Sequence, residues 1–481
     1  MYLAAGTGFW ASVLPEGLRP RKSATKKDES RAETSLVTVG ASNQWAIAGK
    51  ATLVRCEVPT LDGVIDVDTA HLRSYDAGVE PFDSLGRELQ MQWRRADYAE
   101  DAFPELAAAA LDKAQPHRHV GIRDVLDFVA ESAVLPKQGS ADFGEPPVNV
   151  YFDDRLFIEV LFWADGTTAI HQHAFSGAFC VLEGSSVHTR YTFEEQRALG
   201  EHIRLGELAL QQAELLRPGM VRRIHHGPAM IHALFHLDRP TLSLVARTHG
   251  TRLGGPQYEY ARSGLALNPF HQPESQARKL RVLRMAMLSA HPELQRFASR
   301  LVEDADLLTV VRVLQTLNMD DAGMPLLPRL LEHVRRRFGS WALALEQTLS
   351  TERQARYLTV RRTSVFDETL RYLLALLLNL EHREPILRLM AERFPQEKPA
   401  EAVMRCLSAL AKPAPLAPQG ALGIEFDDHA MWVVHHMLHG HDERRMLEEA
   451  QTDPSAPAPA DIQRLTFVLP FNSVLKPLLS A

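Results

Sequence analysis

Between residues 148 and 248 apolar and polar positions alternate in short runs, and beyond residue 260 apolar residues recur three and four apart. Alternation with period two sends successive side chains to opposite faces of a strand, whereas the wider spacing lines one face of a helix. The first region therefore predicts strands over 148–152, 156–163, 168–173, 178–182, 185–193, 202–216 with a break, 221–224, 230–236 and 241–248. Gly166, Gly184, Pro218-Gly219 and Gly227-Pro228 supply the turns. So many short strands at close spacing imply a closed or double-sheet β architecture, which removes exposed edges.

Helical spacing predicts segments over 276–287, 292–302, 307–317, 326–338, 341–349, 364–380, 384–394, 400–411 and 429–450, with Pro325, Pro328 and Pro395 as punctuation. Ahead of the strands, 82–114 and 122–133 read as two or three helices, with Asp83 and Ser84 available as caps. Segments 35–40 and 44–58 alternate and carry Val, Thr, Ile and Trp, as outer strands would. The expected organisation is a disordered segment 1–35, a β-barrel domain 36–260 with flanking helices 82–133, a helical domain 270–450, and a Pro-rich linker with an apolar tail over 451–481. The fold class is α+β.

A chain of 481 residues with 45% hydrophobic and 23% charged residues reads as a multidomain globular protein with a sizeable core. A net charge of −7 provides no footprint for nucleic acid, and no apolar run is long enough to span a bilayer. Residues 1–14 lack a basic lead and an apolar stretch of signal length. The three cysteines Cys56, Cys180 and Cys406 are far apart and odd in number, which argues against a disulfide framework and for a reducing cytoplasm.

The chemistry concentrates in residues 162–193. His171 and His173 are one residue apart on a predicted strand, so both imidazoles reach one point. His232, on a later strand, offers a third ligand, and three neutral imidazoles suit a divalent transition metal with open positions for substrate or oxygen. His225 and His226 compete with His232, and His236 shares its parity, either as a fourth ligand or as a partner behind the ligands. The bland reading is two strand histidines used in polar packing. His117 and His119 sit beside Pro116 and read as a loop; His435 and His439, four apart on a predicted helix, could pinch a metal but read first as a solvated helix end.

Gly166, His171, His173 and Gly184, followed by His232, resemble the cupin family, a small β-barrel whose first motif is G-(x)5-H-x-H-(x)3,4-E-(x)6-G; one residue is missing between Gly166 and His171. The motif's glutamate slot falls on Gly177 or Ala178, leaving three histidines and no carboxylate, and Glu183 is the nearest shifted substitute. Among cupins this is most similar to the thiol dioxygenases, over about residues 148–248, with Leu156 to His173 and the segment His232, Pro240, Ser243 carrying the likeness. The resemblance implies Fe(II) as cofactor, a small thiol or related metabolite and O2 as substrates, and Ser243 as an orienting group; Arg190 and Arg247, as replacements for the family's substrate-binding cation, and Tyr191 are the further polar candidates in this sequence. Where that family has serine, histidine and tyrosine, this chain reads Ser243, Val245 and Arg247, and no tyrosine faces Cys180 for a crosslink. The alternative is a cupin sensor or scaffold that binds a small molecule without catalysis and uses the helical domain for a protein partner or self-association.

Overall fold

In the computed structural model the chain divides into two compact units, residues 1–2 with 76–481 and residues 3–75. The structure describes residues 80–139, 144–250 apart from 165 and 167, 255–412 apart from 340 and 364, and 426–479 apart from 473. All of these belong to the first unit. The segment 1–35, the strands expected over 35–40 and 44–58, and Cys56 lie outside them.

Among the described residues eleven strands are formed: β1 (Pro147–Phe152), β2 (Leu156–Trp163), β3 (Ile170–His173), β4 (Gly177–Glu183), β5 (Ser186–Gly200), β6 (Ile203–Leu216), β7 (Val221–Ile224), β8 (Gly227–His236), β9 (Thr241–Thr248), β10 (Glu259–Tyr260) and β11 (Leu265–Leu267). They make a five-stranded sheet in the order β1-β2-β9-β4-β7 and a closed barrel in the order β10-β11-β6-β5-β8-β3. The alternating pattern fixes which side chains meet between the two. Leu161, Phe179, Val181, Leu234 and Val245 pack together there, while their chain neighbours Val160, Ala178, Cys180, Leu244 and Ala246 turn to the other face of the first sheet. That other face is covered by α1 (Glu80–Arg95), α2 (Phe103–Ala114) and α3 (Ile122–Glu131), whose Leu89, Trp93, Phe103, Leu111 and Val125 complete one core with it.

The helices that follow the barrel cover part of the second sheet. The helix Glu368–Asn379 is buried on every side from Arg371 to Asn379, as its all-round apolar sequence requires. It shares one core with Val187, Ala213, Leu215 and Phe235 of β5, β6 and β8. Arg388 donates to the β6 carbonyl of Ala213 at 2.6 Å, and Arg262 donates to the carbonyl of Leu378 at 3.1 Å, so strand and helix backbone groups are satisfied across the same junction. Leu376 is fully buried in this core. Leu376→Ala is expected to cost about 2–5 kcal/mol by chemical denaturation, because the surrounding helices and strands close only partly on the lost volume.

The molecule is thus α+β, a five-stranded sheet and a closed barrel with helices before them and a large all-α region after them. The structure differs locally from expectation at four places. The break expected in 202–216 does not occur, because β6 is paired along its length by β5. The helix expected over 341–349 runs on as Ala342–Thr363. The helix expected over 429–450 is cut into Asp428–Leu438 and Glu443–Glu449 by Gly440 at φ +78, a conformation that ends helices. Residues 453–459 fold as a turn instead of an extended linker, tied by the Trp432 indole N–H to Asp453 at 2.7 Å. Among the described residues no helix is long and apolar enough to cross a membrane.

Candidate metal centre

β3 and β8 pair antiparallel with His171 opposite His232, and a register shift follows before His173. Directly opposite residues share a face. The three imidazoles consequently converge between the two sheets, each offering one ring nitrogen, all within 4.8 Å of one another. They are 3%, 4% and 2% exposed, in the order His171, His173 and His232. The Nε2 atoms of His173 and His232 lie 2.8 Å apart. Two nitrogens bound at right angles to an ion at the usual metal–nitrogen distance would lie about 2.9 Å apart, so this spacing fits two ligands of one metal. Burial holds all three imidazoles below the usual histidine range, with the neighbouring histidines adding to it at His173 and His232. The neutral form is the one that ligates.

The tautomers of His171 and His232 are set from behind. His171 Nδ1 donates to the Ala169 carbonyl at 2.8 Å, which puts the lone pair on Nε2. His232 Nδ1 meets His188 Nε2 at 3.0 Å, and His188 Nδ1 meets Glu214 Oε1 at 2.9 Å. Burial alone would push the Glu214 carboxyl up, but hydrogen bonds from Arg222 and His188 outweigh it and draw the carboxyl down to about 2. An ionised Glu214 only accepts, so His188 carries its proton on Nδ1 and accepts at Nε2. His232 must then donate from Nδ1, and its Nε2 lone pair faces His173. A carboxylate–histidine chain of this kind orients a ligand and raises its basicity. Glu214→Gln is expected to weaken divalent-metal affinity about 10- to 100-fold, measured by competition against a chromophoric chelator; unchanged affinity would mean the chain orients nothing.

The other residues singled out from sequence divide by strand parity. Ser243 and Arg247, with Val245 between them, face the space between the sheets. Ser243 Oγ accepts the Trp163 indole N–H at 3.0 Å, and Arg247 pairs with Glu159 at 2.8 Å while lying over the rings of Phe157 and Phe175. The Arg247 charge adds to the depression of His173. Arg190 stands opposite His232 in the ladder and is exposed. Tyr191 is not brought to the histidines. It pairs with Ile231 and packs with Ile231, Tyr258, Tyr260 and Ile170 on the reverse face, since neighbours on a strand point opposite ways.

His236 also lies outside the group: its ring stacks on Trp163 at 4.2 Å and its Nδ1 meets Ser186 Oγ at 3.0 Å. His226 meets Ser176 Oγ instead. Glu183 is exposed and accepts the backbone N–H of Ile122 at the start of α3. Gly177 explains the missing glutamate, because a Cβ there would lie 2.4 Å from the Ala246 carbonyl oxygen of the adjacent β9. Cys180 is buried on the helix-covered face of β4, and burial raises its thiol to about 11. Sequence reasoning missed His188, Glu214 and Glu159; the strand parity of His188 with Arg190 was the one available signal.

No protein-family model matches the chain, and no curated protein matches it. Among solved structures, a conserved protein with a double-stranded β-helix domain from Klebsiella pneumoniae is similar at 12% identity over 25% of this chain and 92% of that one, with a TM-score of 0.16. Hydroquinone 1,2-dioxygenase from Sphingomonas sp. TTNP3 is similar at 17% identity over 22% and 68%, with a TM-score of 0.19. The DMSP lyase DddQ from Ruegeria pomeroyi is similar at 17% identity over 35% and 92%, with a TM-score of 0.20. At such scores the chemistry of the site follows from its own residues alone.

Proposed function

We propose that this chain is a metal-dependent oxygenase of the cupin type, with His171, His173 and His232 as ligands of Fe(II). The observation that supports it most is the buried convergence of three neutral imidazole nitrogens with no carboxylate among them. The bound ion would supply Lewis-acid and redox activation of a small molecule and O2. The protein's share is orientation and exclusion of water, since the three rings are buried. His188 and Glu214 hold the His232 ring, and Ser243, which already accepts from Trp163, keeps its own O–H to donate toward a substrate. Arg247 supplies the cation beside His173.

Because Glu159 already pairs with Arg247, a substrate carboxylate would have to compete for the guanidinium. Phe175 and Phe179, with rings 4.5 Å from that of His173 and 6.2 Å from that of His232, supply apolar surroundings. Both features favour a small thiol or related metabolite without a carboxylate over free cysteine. The test is oxygen uptake by iron-reconstituted protein against paired thiols that differ only in a carboxylate. Uptake with the neutral member supports the reading; ligand-dependent thermal stabilisation with no uptake across the panel would replace it with a binding module.

A further inference from the structure

A second group of ligating side chains lies in the helical region, independent of the barrel site. His436 falls in the last turn of the helix Asp428–Leu438, His441 follows the Gly440 turn, and Glu449 ends the helix Glu443–Glu449. His436 Nδ1 and His441 Nδ1 lie 2.8 and 3.0 Å from the same carboxylate oxygen, Glu449 Oε2, and 3.0 Å from each other. Each Nδ1 carries at most one hydrogen, so two hydrogens must serve three edges of a triangle. If both point at the carboxylate, they crowd between nitrogens 3.0 Å apart; if one bridges the nitrogens, a lone pair of the other faces the carboxylate oxygen. A single cation satisfies all three at once.

The surroundings hold the triangle in shape. The Trp432 ring lies 3.8 Å from that of His436, Arg445 donates to Glu449 Oε1 at 3.0 Å, and Asp442 caps the second helix through the Arg445 N–H at 2.8 Å. The side chains of His436 and His441 are 15% exposed, enclosed yet reachable from solvent. We propose that His436, His441 and Glu449 form a zinc site that clips the two helices across the Gly440 turn. Two imidazoles and one carboxylate are ligands zinc takes, with a fourth position left for water. Tetrahedral ligand atoms at zinc distances stand about 3.3 Å apart, so an opening of a few tenths of an ångström admits the ion.

The test uses the full chain carrying His171→Ala/His173→Ala, stripped with a chelator and titrated with Zn2+ alone. One tightly bound Zn2+ per chain is expected, with a rise in the thermal unfolding midpoint. Both are expected to vanish when His441→Ala or Glu449→Gln is added. Glu449→Gln keeps the side chain's shape, so loss there is not misfolding. No stoichiometric zinc in the starting variant would overturn the proposal. So would zinc that survives His441→Ala and is lost with His439→Ala, since the ion would then sit on the neighbouring group of Glu401, His435 and His439.

Discussion

His171→Ala/His173→Ala is expected to abolish metal binding at the barrel site and, with it, any oxygen uptake. The double variant leaves a single one of the three ligands, His232, and one neutral ligand cannot offset the dehydration of a divalent ion. The informative control is His236→Phe. His236 shares strand and parity with His232, so a generic requirement for buried histidines between the sheets would make it matter equally. The structure commits its ring to Trp163 and Ser186, so if the barrel site holds Fe(II) as proposed, the variant should keep as much iron as the unaltered chain by elemental analysis. Iron retained by the double variant, or lost by His236→Phe, would move the site elsewhere.

That contrast shows what could be read along the chain. Period two places His171 and His173 on one face, and 156–163, 221–224 and 241–248 match β2, β7 and β9, whereas β5 runs on to Gly200 past the expected end at 193, β8 begins at Gly227 ahead of the expected 230, and β10 and β11 are not among the expected strands. Parity also separates Arg190 from Tyr191, because adjacent strand residues cannot both face one ion, and applying it strictly would have favoured His188 over Tyr191. Register is where local reading stops. His188 reaches Glu214 only because the β5–β6 hairpin pairs them directly, and that hairpin carries three irregularities that no periodicity reveals. The Glu159–Arg247 pair also depends on register, but lies diagonally across β2 and β9. Gly177 looked like a lost ligand, yet the close passage of β9 leaves no room for any side chain there.

The cluster carries a second cost, paid in acid. His236 is held down to about 3 by burial, while an unfolded chain titrates it near the ordinary histidine value. Between those limits the unfolded state binds a proton that the folded state refuses, so stability falls as pH falls. At pH 5 this one residue removes about 2 kcal/mol. His171, His173, His188 and His232 are depressed by the same burial and act in the same direction. Glu214, depressed to about 2, extends the loss from the ordinary carboxylate range downward, since its ion pair with Arg222 contributes only while it is ionised. The metal-free protein should therefore unfold on acidification from neutral pH by about pH 5, well before its surface carboxylates titrate. Circular dichroism against pH measures the midpoint. His236→Phe removes one such proton acceptor while keeping a ring to stack on Trp163, and it should shift the midpoint to lower pH. A metal-free chain still folded at pH 4, with a midpoint indifferent to His236→Phe, would mean that these imidazoles are hydrated and that the space between the sheets is not dry.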